Sequence, residues 1–177
     1  ELGFDYVFDT NFAADLTIME EAYEFIRRVK EGGVLPMFTS CCSGWINLVE
    51  KTYPRLMLHL STCKSPQGMM GTLIKTFFAK KLGVEPEQIV TVSIMPCVAK
   101  KDEIARPQLT TEVFNPDGSP KRIPDTDYVL TTREIGHLIE RERVSTFVFT
   151  PPPLPSIFRN GMLTHNTLDS FCVPTRF

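Results

Sequence analysis

Two strand-like apolar runs, each ending at a cysteine, set the strongest limit on what this 177-residue chain can fold into. The first, Val34 to Phe38, passes through Thr39-Ser40 into the adjacent pair Cys41-Cys42, then Ser43-Gly44 and Trp45, the only tryptophan. The second, Ile89-Val90-Thr91-Val92-Ser93-Ile94, reads as a buried parallel strand and ends in Met95-Pro96-Cys97. In open α/β sheets the carboxyl ends of strands form the crevice where ligands bind. If both runs lie in one parallel sheet, Cys97 and the first pair open toward the same crevice. Adjacent cysteines cannot both face the same way in a regular element, so Cys41 and Cys42 suit different duties. Burial as small apolar residues is the alternative for both.

The remaining pattern alternates helices with short strands. Tyr6-Val7-Phe8 reads as a strand. Thr17 and Glu20 form a capping box, and Ile18, Ala22, Phe25, Ile26 and Val29 follow as a core-facing stripe until Gly32-Gly33. At about 100° per residue, Glu21 falls at the edge of that stripe and Glu24 well outside it, on a solvated face. A helix from Gly44 to Tyr53 is stopped by Pro54. Ser65 then caps a helix with Pro66 at its first position and Gly83 beyond its end. Met69, Met70, Leu73, Ile74, Phe77 and Phe78 form its apolar face, the methionines as core filler. Residues 107–124 read as a surface excursion, Tyr128-Val129-Leu130 as a strand, and Thr131 with Glu134 as a capping box for a helix to about Arg143. Val144 to Thr150 suits one more strand. Pro151-Pro152-Pro153-Leu154-Pro155 breaks the pattern, and 156–177 show no period and read as an irregular tail. The expected fold is α/β, a mostly parallel sheet flanked by helices.

Nineteen basic against 21 acidic residues leave a net charge of −2, without the footprint of a nucleic-acid or membrane-surface binder. No apolar run approaches the roughly 18 residues of a membrane span. Five cysteines, odd in number and unevenly spaced, favour a reducing compartment with metal or catalytic thiols over a disulfide framework. The chain begins at Glu1, so either a leader has been removed or sequence precedes it. Thiolates on separate loops with few histidines suit an iron–sulfur cluster better than a zinc knuckle, which uses close pairs. Cys63 reads as buried or incidental. His59, His137 and His165 are scattered, which leaves a Cys–His nucleophile unsupported.

Thr39-Ser40-Cys41-Cys42-x-Gly44-Trp45 and Met95-Pro96-Cys97-x-x-Lys100-x-x-Glu103 resemble the first two of three signature motifs of the iron-only ([FeFe]) hydrogenase catalytic domain. Ala14 to Glu21 and Lys64-Ser65-Pro66-Gln67 also resemble it, and the likeness runs from about Glu1 to Arg143. It implies one lobe of a two-lobed domain, partial over residues 1–143, with 144–177 divergent. It implies that Cys42 and Cys97 are two of four thiolate ligands of a [4Fe–4S] cubane. The cubane would adjoin a di-iron subcluster with CO, cyanide and dithiolate ligands, together the H-cluster. Cys41 would be the proton donor and acceptor, Lys100 a donor to a cyanide ligand, and Met95 a packing residue. Ser65, Pro66 and Gln67 would line the dithiolate pocket, and Glu21, Ser61 and Glu24 would form a proton relay.

Implied too are reversible proton reduction with ferredoxin or a similar carrier, hydrogenase maturation proteins as partners, and an anaerobic source. A cytoplasmic or hydrogenosomal location would follow. Ser43 stands where that family usually has proline. The third motif, with two further cysteines, is not found, Cys172 lacks the expected neighbour, and the ending suggests a partial product or a read-through. The isolated chain is therefore expected to be inactive. The alternative is a related, non-catalytic protein of iron–sulfur assembly, a group that generally lacks cysteine at the Cys41 position.

Overall fold

A computed structural model describes residues 2–115 and 117–144. Residues 145–150 of the strand expected at Val144–Thr150, the proline-rich tail, His165 and Cys172 lie outside the described residues. Within them the chain is α/β. Helix α1 (Thr10–Glu31) and α2 (Ser43–Thr52) precede a 3-10 turn, Pro54–His59. Then come α3 (Pro66–Leu73), a π-helical turn (Ile74–Phe78) and α4 (Ala79–Leu82) in one continuous rod. Strand β1 (Val92–Met95), α5 (Ala99–Ile104), β2 (Thr110–Phe114), β3 (Pro120–Pro124), β4 (Tyr128–Thr131) and α6 (Thr132–Arg141) complete the order.

Strand β1 pairs in parallel with β4, Val92 facing Tyr128 and Met95 facing Thr131. The first cysteine run is shorter than its composition suggests. Only Phe38 pairs, in a parallel bridge with Leu60, its amide on the His59 carbonyl at 2.8 Å and its carbonyl taking the Ser61 amide at 2.7 Å. That bridge suffices to send Thr39–Cys42 and Ser61–Ser65 out in the same direction. Tyr6–Phe8 forms no strand; instead Tyr6 and Phe8 set their rings edge-on against Phe78, at centroid distances of 4.9 and 5.0 Å. Residues 107–124 are not an irregular excursion, because β2 and β3 form an antiparallel hairpin across them.

The capping signals divide. Ser65 accepts the Gly68 amide with Pro66 at the first helical position, Gly83 closes the rod in a left-handed conformation, and Thr131 and Glu134 complete a reciprocal box. Thr17 does not cap. Helix α1 starts more than two turns earlier, where Asp9 accepts the Asn11 amide, and the Thr17 hydroxyl bonds back to the Ala13 carbonyl instead.

Helix α1 is also turned the other way from expectation. Ala13, Leu16, Thr17, Glu20 and Glu24 are buried, while Ile18, Ala22, Phe25, Ile26 and Val29 are exposed. The two sets lie on nearly opposite faces of the helix. The buried side packs Ala13 and Leu16 against Cys63, Met69, Met70 and Leu73, with Phe8, Phe12 and Ile74 at the margin. Met69 and Met70 are core, as expected, whereas Phe77 faces outward.

Candidate active site

Everything that converges on the cysteine turn does so through hydrogen bonds from buried polar groups. Cys42 is the N-cap residue of α2, and the helix start directs its positive dipole end toward that turn. Cys41, Cys42 and Cys97 are exposed free thiols, and Cys63 is buried in the core. Lys100, one turn past Cys97 on α5, donates to the Cys41 carbonyl at 2.7 Å and to Glu103 Oε2 at 2.5 Å. Glu103 is itself buried, taking the Ser43 hydroxyl on Oε2 at 2.8 Å and the Ser65 hydroxyl on Oε1 through a very short bond. Gln67, the residue after Pro66 on α3, accepts from the Ser93 hydroxyl at 2.9 Å, which ties α3 to β1. Met95 ends β1, half-buried.

A second polar set lies on α1. Glu24, 5% exposed, takes the Ser61 hydroxyl at 2.8 Å, the Thr62 amide at 2.9 Å and the Arg28 guanidinium at 2.5 Å. Arg28 also caps the Leu60 carbonyl at 2.6 Å. Burial opposes the Glu24 charge, but the Ser61, Arg28 and Thr62 donors together outweigh it and hold its pKa below the ordinary carboxylate value. Glu21 moves the other way. Burial pushes its pKa up beyond what the Ser40 amide and Ser61 hydroxyl recover, and the neighbouring Glu24 charge adds to the rise. Its Oε1 is buried without a hydrogen-bond partner. The two sets face a common cavity of about 40 Å³, lined among others by Ser40, Ser43, Ser61, Cys63, Ser65 and Glu103.

Of the site residues singled out in the sequence, Lys100, Ser65 and Gln67 join the first set and Glu21, Ser61 and Glu24 the second, although the face of Glu24 was expected to be solvated; Cys41, Cys42 and Cys97 are exposed thiols, and Met95 and Pro66 are placed only by their positions at the end of β1 and the start of α3. Glu24 is inside because α1 buries polar groups that satisfy one another. Two contributors carried no role in the sequence reading. Glu103 sat in the second motif unassigned, and Arg28 was signalled only by its spacing of four from Glu24.

Among the described residues, no three His, Cys, Asp or Glu side chains form a group able to hold a metal ion. The donor set therefore fits an iron–sulfur cluster in kind, as soft exposed thiols, and not in number, since such clusters take four.

The model of the iron-only hydrogenase large subunit, C-terminal domain, matches residues 1–162, reaching past Arg143. The chain belongs to that family. It is 45% identical over 144 residues to iron hydrogenase 1 of Clostridium pasteurianum, covering 81% of this chain and 24% of that protein. It is 40% identical over 165 residues to cytosolic iron-sulfur assembly component 3 of Rattus norvegicus, covering 90% of this chain and 33% of that one. The solved apo [FeFe]-hydrogenase of Chlamydomonas reinhardtii superposes with a TM-score of 0.72 at 44% identity, covering 84% of this chain and 36% of the other. The chain thus spans roughly a quarter to a third of the relatives it matches.

Proposed function

We propose that this chain is one lobe of an [FeFe]-hydrogenase catalytic domain, serving the reversible reaction of two protons and two electrons to hydrogen. The observation that carries the reading is the pair of glutamates on α1 near the cysteine turn, Glu24 buried and Glu21 half-buried, pushed to opposite sides of the ordinary pKa and joined by Ser61. Such a divided pair suits proton passage, since Glu21 takes up a proton more readily than Glu24 does. Cys41, an exposed thiol, takes or gives the proton at the crevice, and Glu21, Ser61 and Glu24 carry it onward along α1. Lys100 has three ammonium hydrogens, two of them engaged by Glu103 and the Cys41 carbonyl, so a third is available to an acceptor in the crevice. Met95, Ser65, Pro66 and Gln67 shape that crevice from β1 and α3, and Cys42 and Cys97 offer thiolates. The H-cluster, when bound, supplies hydrogen binding and electron storage.

Two further cysteine ligands would have to come from residues beyond those described, and ferredoxin or a similar protein would deliver electrons. Residues 1–143 carry the motifs this proposal uses, and the family likeness continues to residue 162. In the intact parent protein, Cys41→Ala should abolish hydrogen evolution while iron content stays unchanged. Normal turnover in that variant would sink the relay assignment. The 177-residue chain alone should show little hydrogen evolution even after exposure to maturation proteins.

The second reading, a non-catalytic iron–sulfur assembly factor, is favoured by the likeness to the Rattus norvegicus component. It differs in outcome: an intact parent that binds iron but never evolves hydrogen with wild-type Cys41 would support it.

A further inference from the structure

Ser43 is 2% exposed, and its hydroxyl donates at 2.8 Å to the same Glu103 oxygen that Lys100 holds at 2.5 Å. One carboxylate oxygen therefore serves two donors on different elements, the start of α2 and the body of α5. The other oxygen is held by Ser65, the N-cap of α3. Glu103 thus joins the leading ends of α2 and α3 to α5, and the Ser43 bond is the one that reaches the residue beside the cysteine pair. Lys100 closes the loop, since its second bond goes to the Cys41 carbonyl. Ser43 occupies the first position of α2, where the backbone N–H has no intrahelical partner and proline is well tolerated. What distinguishes serine there is its hydroxyl, not its backbone.

We infer that Ser43 is a positioning residue for Lys100. By taking part of the Glu103 Oε2 acceptor capacity, its hydroxyl weakens the ion pair within α5 and leaves the ammonium less tightly held, while pinning the cysteine turn to the same carboxylate. A family member with proline there lacks this control. The consequence for hydrogen chemistry rests on the function proposed above, but the bond itself does not, and the test reads the lysine directly.

The 177-residue chain is labelled on lysine side chains, and the Lys100 ammonium is followed by nuclear magnetic resonance, with buried Lys64 and Lys75 as internal references. Ser43→Ala and Ser43→Pro should both shift the Lys100 signal and slow its hydrogen exchange roughly fivefold, about what one hydrogen bond is worth. Signals of Lys64 and Lys75 should stay in place. Ser43→Thr, which keeps the hydroxyl, should restore the wild-type Lys100 signal. Alkylation of Cys41 and Cys42, resolved by peptide mass spectrometry at one fixed pH, should quicken by a similar factor in the Ala variant only. An unchanged Lys100 signal in Ser43→Ala overturns the inference, and so does a shift that also moves Lys64 and Lys75. Failure of hydrogen evolution in the parent with these signals as expected would count against the proposed function and leave the positioning role standing.

Discussion

Glu21 and Glu24 are three residues apart on one helix, yet their surroundings drive their proton affinities in opposite directions. The difference is the number of donors that reach each carboxylate: Glu24 has a hydroxyl, an amide and a guanidinium, while Glu21 keeps one buried oxygen without a partner. The linkage to stability follows. Glu24, with its pKa lowered, contributes stability above the unfolded value of about 4.3 and loses it as pH falls through the folded value. Glu24→Gln should therefore cost roughly 2 kcal/mol at neutral pH, with the deficit closing in acid. Glu21, with its pKa raised, contributes stability that is complete below the unfolded value and lost as pH rises through the folded one. Glu21→Gln should leave the protein as stable or more stable at neutral pH and unchanged in acid. Urea melts of both variants between about pH 3 and 7.5 check the pair of signs.

At the scale of elements, α3 is held to the hairpin by charge in the core. Lys64, just before α3, pairs with Asp125 at 2.8 Å and bonds Thr72 at 3.0 Å, while Thr111 on β2 donates to the other Asp125 oxygen at 2.6 Å. Both charged side chains are only 3% exposed. Removing one partner leaves the other buried and unpaired, so Lys64→Met should cost about 3–5 kcal/mol, and Lys64→Met with Asp125→Leu should recover most of it. Denaturant melts of the single and double variants measure this. The same contact explains Gly71. A Cβ there would sit 2.3 Å from the Asp125 carbonyl oxygen, so the helix reaches the hairpin only where it has no side chain. Gly71→Ala should cost about 1–3 kcal/mol in the same melts.

The whole molecule presents an apolar face that nothing among the described residues covers. Along α1, Ile18 is 65% exposed and Val29 55%, with Met19, Tyr23, Phe25 and Ile26 beside them. Contiguous surface of this kind marks an interface or an aggregation liability. The relatives are roughly three to four times longer than the stretch they share with this chain, so they have ample length to cover the corresponding face. Produced alone, the chain should self-associate through this face. The triple variant Ile18→Lys, Phe25→Lys, Val29→Glu should shift it toward monomer in light scattering with its melting temperature within a few degrees.

Local rules carried far from the sequence alone. The cap at Ser65 with Pro66, the left-handed Gly83 and the box at Thr131 each depend on a few neighbours in the chain, so a few residues suffice to read them. The two cysteine motifs were legible for the same reason, as contiguous strings. The parallel strand before Cys97 was legible as a strand, but not its burial: it spans only Val92–Met95 and leaves Val90 and Ile94 exposed, because burial depends on what packs on its faces. The tertiary structure alone decided which side of α1 is inside. Hydrophobic spacing marks an apolar face without saying whether this chain or another covers it. A polar face can be core only when donors and acceptors from distant segments meet, as Ser61, Thr62 and Arg28 do at Glu24. That matching of partners far apart in the chain is why periodicity alone put Glu24 on a solvated face.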